Sequence, residues 1–147
     1  MDALGPDAFD FWIGEWDCHF EGGHAINTIT REYGGNVLVE RFVVDQPRAF
    51  QGLSLSVHGE HLGGWRQTWV DEGGSYWAFE GVLVDGDPSF ATPVPVDADQ
   101  LYKRMVFSDI TDDSLHWRWE SSPDGPAAAG GGVWTVNWEI AYTRRAT

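Results

Sequence analysis

Tryptophan spacing constrains this chain more than any other feature. Nine tryptophans occur in 147 residues. All but Trp77 fall in close pairs: Trp12 and Trp16, Trp65 and Trp69, Trp117 and Trp119, Trp134 and Trp138. In a strand, residues two and four apart share a face. On strands, each of the last three pairs sets two indoles on one side. Rings repeated on one face of several strands predict a barrel interior, either plugged by aromatic side chains or lined by them around a ligand.

The rest of the composition fits strands. Aromatic residues reach 14% and glycines number 18; the first favour sheets and the second mark turns and bulges. Long helical periodicity is absent. A chain of 147 residues makes one domain, spanning 1–147, that buries roughly two-thirds of its unfolded surface. The expected class is all-β: a single antiparallel barrel of about nine strands after a short N-terminal helical turn.

Charge narrows the partners. With 23 acidic against 9 basic residues the net charge is −14. Such a surface repels phosphate backbones and anionic lipid, so neither nucleic acid nor a membrane surface is an expected partner. Cys18 is the single cysteine, which excludes an internal disulfide. The first six residues have no basic or apolar leader character, and no stretch approaches the ~18 apolar residues of a spanning helix. The expectation is a cytoplasmic protein with no cofactor. The sequence leaves a homodimer open.

Turn signals divide the chain. Residues 6–13 read as one helical or 3-10 turn, stopped by Gly14. Strands are expected over 16–20, 24–33, 37–44, 53–58, 64–71, 75–84, 100–108, 115–121 and 133–144. Gly22-Gly23, Gly34-Gly35-Asn36, Gly59-Glu60, Glu72-Gly73-Gly74 and Thr111-Asp112-Asp113 punctuate them. Short antiparallel strands with short connections suit a meander closed on itself, which removes free edges. Two long loops remain, 85–99 with three prolines and 122–132 rich in Ala and Gly; both are candidate lids at a barrel mouth.

The segment Phe9-Asp10-Phe11-Trp12-Ile13-Gly14-Glu15-Trp16-Asp17 resembles the opening of a family of small bacterial proteins classed as a domain of unknown function. Gly64-Trp65-Arg66-Gln67-Thr68-Trp69-Val70-Asp71 with Gly74, Trp119-Glu120-Ser121, Asp124-Gly125, Trp134 and the closing Tyr142-Thr143-Arg144-Arg145 are similar too, and in the right order. That family is assigned to the calycin-like β-barrels, distant structural relatives of lipocalins and fatty-acid-binding proteins. The resemblance implies a fold, not a reaction. The chain departs from the pattern in its 85–99 loop and in the insertion after Asp124. Trp16 and Arg144 also resemble the lipocalin-like arrangement in which a basic side chain covers an N-terminal indole, a contact worth about 0.5–2 kcal/mol.

Several residues are candidates for a site. Trp65, Gln67 and Trp69 share one face, and an amide between two indoles must find a partner if buried. Gln67 therefore either orients a ligand or bonds a neighbouring strand. Glu40 shares a face with Leu38, Phe42 and Val44. Both faces of that strand carry apolar residues, so the pattern does not decide which is inward. Turned inward, Glu40 is a carboxylate in an apolar cavity with a raised pKa, the leading acid or base. Paired with Arg104 or Arg118, it is structural. Trp117, Trp119, Trp138 and Tyr142 complete the expected lining, and Arg104 is a candidate for orienting a ligand.

Other features carry less. His58 and His61 flank Gly59-Glu60 and would face each other across a two-residue hairpin, but a metal needs a third fixed ligand. His116 points opposite to Trp117 and Trp119. Cys18 and His19, as neighbours on a strand, point apart and make no nucleophile–base pair. The expected function is binding of a small apolar or aromatic molecule in an aromatic-lined barrel. The alternatives are a cofactor-independent enzyme of cyclase, isomerase or hydrolase type using Glu40, and a plugged barrel with a non-catalytic interaction role.

Overall fold

Short turns join most consecutive strands, and this favours pairing of each strand with the next. In the computed structural model, which describes residues 4–124 and 132–146, the strands run β1 (Gly14–Phe20), β2 (Gly23–Glu32), β3 (Val37–Gln46), β4 (Phe50–Gly59), β5 (Gly64–Asp71), β6 (Tyr76–Val84), β7 (Asp87–Ala91), β8 (Tyr102–Ser108), β9 (Ser114–Ser122) and β10 (Thr135–Arg144). Each pairs antiparallel with the next, and β10 returns to β1, closing a barrel of ten strands. It is an all-β, calycin-like barrel with two 3-10 turns, Asp10–Trp12 and Glu60–Leu62, as its only helical elements among the described residues.

The strand added to the expected nine is β7, which lies where a loop was expected. Asp85 and Gly86 both adopt positive φ, 50° and 86°, and Val84 pairs with Asp87 across them. This is the two-residue turn that Asp-Gly favours, because its twist matches that of the flanking strands. The prolines that suggested a loop do not prevent it. Pro88 sits opposite Leu83 on β6, whereas the pairing of β7 with β8 begins only at Ser89. The segment 85–99 is thus partly barrel wall, not a free lid. The other expected lid includes residues 125–131, which lie outside the described residues. Between β4 and β5, the expected two-residue hairpin is replaced by the Glu60–Leu62 turn, capped by Gly63 at φ 77°.

Alternation sends one face of every strand inward. On β3 the inward set is Leu38, Glu40, Phe42 and Val44, all buried. On β10 a register shift between Val136 and Trp138 leaves Asn137 as an extra residue. That bulge breaks the four-residue spacing. Trp134 and Trp138, expected to share a face, are separated: Trp138 packs on the interior, and Trp134 packs outside against Val84, Ala91 and Val106.

One end of the barrel is filled. The N-terminal turn drops Phe9 and Trp12 into it, 0% and 1% exposed. Phe9 stacks on Phe90 at 4.5 Å and meets Trp65 edge-on at 5.1 Å; Trp12 meets Phe107 at 5.4 Å. Such pairs add about 0.5–1.5 kcal/mol each beyond area burial. Arg144 lies 4.2 Å above the Trp16 ring and donates to the carbonyls of Phe11, Ile13 and Asp112. Trp16 Nε1 in turn donates to the Trp12 carbonyl at 2.9 Å. The expected grouping of Trp12, Trp16 and Arg144 at the closed end is therefore present. Gly14 permits it, because a Cβ there would overlap the Arg144 guanidinium.

Candidate functional site

The opposite half of the barrel is hollow. A cavity of about 260 Å³ opens there. Trp69, Trp77, Trp117, Trp119 and Trp138 give it five indoles; Phe42, Phe50 and Phe79 add three phenyl rings. Met105 and Ile140 are aliphatic wall, and Glu40, Asp71 and Tyr142 are its polar groups.

Strand geometry sets the rings. Trp117 and Trp119, two apart on β9, lie parallel at 6.4 Å with an interplanar angle of 3°. Trp138 stands edge-on to Trp117 and Trp77 edge-on to Trp119, each at 5.6 Å. Trp69 lies against Gly52 of β4, where any Cβ would overlap its ring. Its Nε1 donates to Asp71 Oδ2 at 2.9 Å. Asp71 Oδ1 accepts from the backbone of Gly73 and Ser75. Burial pushes the Asp71 carboxyl up, but these donors outweigh it and hold it below the ordinary carboxylate value.

A polar belt separates hollow from plug. Glu40 Oε2 accepts from Asn27 Nδ2 at 2.7 Å and Oε1 from Ser54 Oγ at 2.6 Å. Asn27 Nδ2 also donates to the Tyr142 hydroxyl at 3.0 Å. Tyr142 contacts Cys18. Burial raises the Glu40 carboxyl above its ordinary value, opposed by the Ser54 and Asn27 hydrogen bonds. Burial also holds the Tyr142 phenol well up, with Cys18 and Glu40 adding to it. The Cys18 thiol is raised by burial first and by Glu40 next, which makes it an inert core thiol, not a nucleophile.

Of the residues expected at a site, the cavity brings together Glu40, Trp69, Trp117, Trp119, Trp138 and Tyr142. Three others lie elsewhere. Trp65 faces inward as its parity demands, but at the closed end, where Nε1 donates to the Gly5 carbonyl at 2.9 Å. Gln67 is buried between them and donates to Ser56 Oγ at 3.0 Å, the neighbouring-strand alternative. Arg104 is on the opposite face of β8 from Met105. It pairs with Glu120 at 2.6 Å and lies 4.0 Å above Trp134. Arg118 binds the same Glu120 at 2.7 Å. Neither arginine pairs with Glu40, so the ion-pair alternative gives way to hydrogen bonds from the neutral donors Asn27 and Ser54.

Sequence reasoning missed Phe50, Asp71, Trp77, Phe79, Met105 and Ile140 in the lining, and Asn27 and Ser54 behind Glu40. Asp71 carried a signal: it is two residues beyond Trp69 on the same strand face. The Asn27 and Ser54 contacts depend on register across three strands, with Glu40 directly opposite Ser54, and leave no mark in any one segment. Among the described residues, no group of three or more His, Cys, Asp and Glu side chains is placed to hold a metal, and no helix is long and apolar enough to cross a membrane.

No protein-family model and no curated protein matches this chain.

Proposed function

We propose that this barrel binds a small apolar or aromatic molecule in its hollow half, and that it belongs to the calycin-like family its motifs resemble. The observation that carries the reading is the contrast inside one barrel: rings fill the closed end, yet rings of the same kind surround about 260 Å³ at the other. Keeping large apolar surfaces apart forfeits burial that packing would gain. A ligand that occupies the space recovers it. The few polar groups, Glu40, Asp71 and Tyr142, supply orientation, as in small-molecule sites generally. The Trp16–Arg144 contact supports the family assignment. The test is titration with tert-butylbenzene, followed through the indole N–H signals in ¹H–¹⁵N NMR. Shifts confined to the cavity tryptophans support the reading. Unmoved signals at saturating probe count against it.

A second reading, cofactor-independent catalysis, has one observation in its favour. Glu40 is buried without a cationic partner, beside a neutral phenol and thiol, and its pKa is raised. Such a carboxyl can exchange a proton with a bound substrate. Binding remains the better account, since both Glu40 oxygens are already engaged by Asn27 and Ser54.

A further inference from the structure

We infer that the cavity is built for a small organic cation, an ammonium group carried on an apolar body. This deepens the binding reading and rests on it. Three observations point the same way. First, indoles dominate the walls: Trp117 and Trp119 lie parallel at 6.4 Å, and Trp138 and Trp77 stand across them at 88° and 85°. Perpendicular rings around a space are the arrangement that surrounds a cation with π-electron density, and indole is the best of the ring systems for it. Second, among the described residues the only ionisable side chains on the walls besides the Tyr142 phenol are the carboxyls of Glu40 and Asp71. Third, no lysine, arginine or histidine borders the cavity among the described residues. Lys103 shares the parity of Met105 on β8, but it is paired with Asp99 at 2.9 Å and is not part of the lining.

The two acids differ in role. Asp71 sits at the rim with its charge stabilised by three donors, those of Trp69, Gly73 and Ser75. It supplies fixed negative charge where a ligand enters. Glu40 lies deeper and is held toward its neutral form by burial. It presents a carboxyl that a bound ammonium would favour in the ionised state. The surrounding charge of −14 adds a field that concentrates cations and repels anions. A purely apolar ligand would use the rings but neither acid, and an anionic ligand would face both.

The experiment compares two probes of nearly equal shape, phenyltrimethylammonium and tert-butylbenzene, by calorimetry and by NMR on the intact protein. The expected result is that the cation binds at least about fivefold tighter than its neutral isostere, with its N-methyl protons shifted upfield by the indole ring currents. Glu40→Gln and Asp71→Asn should each narrow that ratio, while affinity for tert-butylbenzene stays within about twofold. If tert-butylbenzene binds as tightly as the cation or tighter, the cation inference is overturned and the binding reading survives. If neither probe binds, both fall. If Asp71→Asn does not fold, the N-methyl shifts and the Glu40→Gln ratio still decide the matter.

Discussion

The two halves of this barrel use the same side chains for opposite ends. In the closed half, Phe9, Trp12 and Trp16 are essentially free of solvent, and each ring has another ring or a guanidinium against it. In the open half, Trp138 is 36% exposed, and the indoles border space. The wall of the barrel does not create this difference, because its strands run through both halves. The N-terminal turn does: it inserts Phe9 and Trp12 from outside the sheet at one end only. An aromatic-rich interior therefore becomes core or pocket according to whether a further segment is delivered into it.

The largest test of that contrast is Phe9→Ala. Phe9 touches Phe90, Trp65 and Phe107, and truncation should cost about 3–5 kcal/mol in urea unfolding. Trp77→Phe in the open half should cost less than about 1.5 kcal/mol, because Trp77 is already half-buried beside space. Equal losses at the two sites would break the division into core and pocket.

Arg144→Met probes how the plug is locked. It removes the guanidinium from Trp16 and leaves the Phe11, Ile13 and Asp112 carbonyls without that donor. A loss of about 2–3 kcal/mol follows from hydrogen bonds to a charged donor, with little change in affinity for a cavity probe. A large affinity change with small destabilisation would mean that the two halves are coupled.

Much of the fold was legible because it follows from period-two alternation. The parity of Trp65, Trp69, Trp117 and Trp119 places all four rings inside, as found. Parity gives the face but not the depth, which is why Trp65 and Gln67 read as equivalent to Trp69 and lie below the cavity instead. Trp134 was misplaced because a bulge is one unpaired residue, invisible until the partner strand is present. The strand β7 was hidden by prolines, although Asp85-Gly86 carried the hairpin signal. Glu40 stood out as the one acid on an apolar stripe. Its partners did not, since it is the register across three consecutive strands that brings Asn27, Glu40 and Ser54 together.

Glu40→Gln sharpens the border between the halves. The folded-state pKa is raised above the ordinary 4.5, so between those two values the folded protein holds a proton that the unfolded chain has lost. Stability then falls as pH rises through that window, by up to about 1.4 kcal/mol per pH unit, and levels off above the folded pKa. Glutamine is neutral throughout and keeps an oxygen acceptor for Asn27. The variant should lose the slope and gain on the wild type as pH rises. Parallel pH profiles for the two proteins in urea titrations would show that Glu40 is not buried as an acid.

The smallest effect is expected at the rim, where His24 provides a contrast to Glu40. Its Nδ1 lies 2.8 Å from Asp45 Oδ1 and its Nε2 3.1 Å from Asp17 Oδ1. The Asp45 hydrogen bond, then that of Asp17, raises its pKa above the ordinary 6.5. Here the cause is neighbouring carboxylates, not burial. A group raised in this way stabilises the fold fully below its unfolded pKa, and that contribution is lost as pH rises through the folded value. Both residues thus lower stability with rising pH, but in windows that begin at different points, near 4.5 for Glu40 and near 6.5 for His24. Salt separates them further, since an exposed contact is screened and a buried carboxyl is not. His24→Gln should flatten only the upper window, and added salt should flatten it in the wild type too. An NMR titration midpoint for His24 at or below 6.5 would contradict this assignment and remove His24 from the pH dependence of the open half.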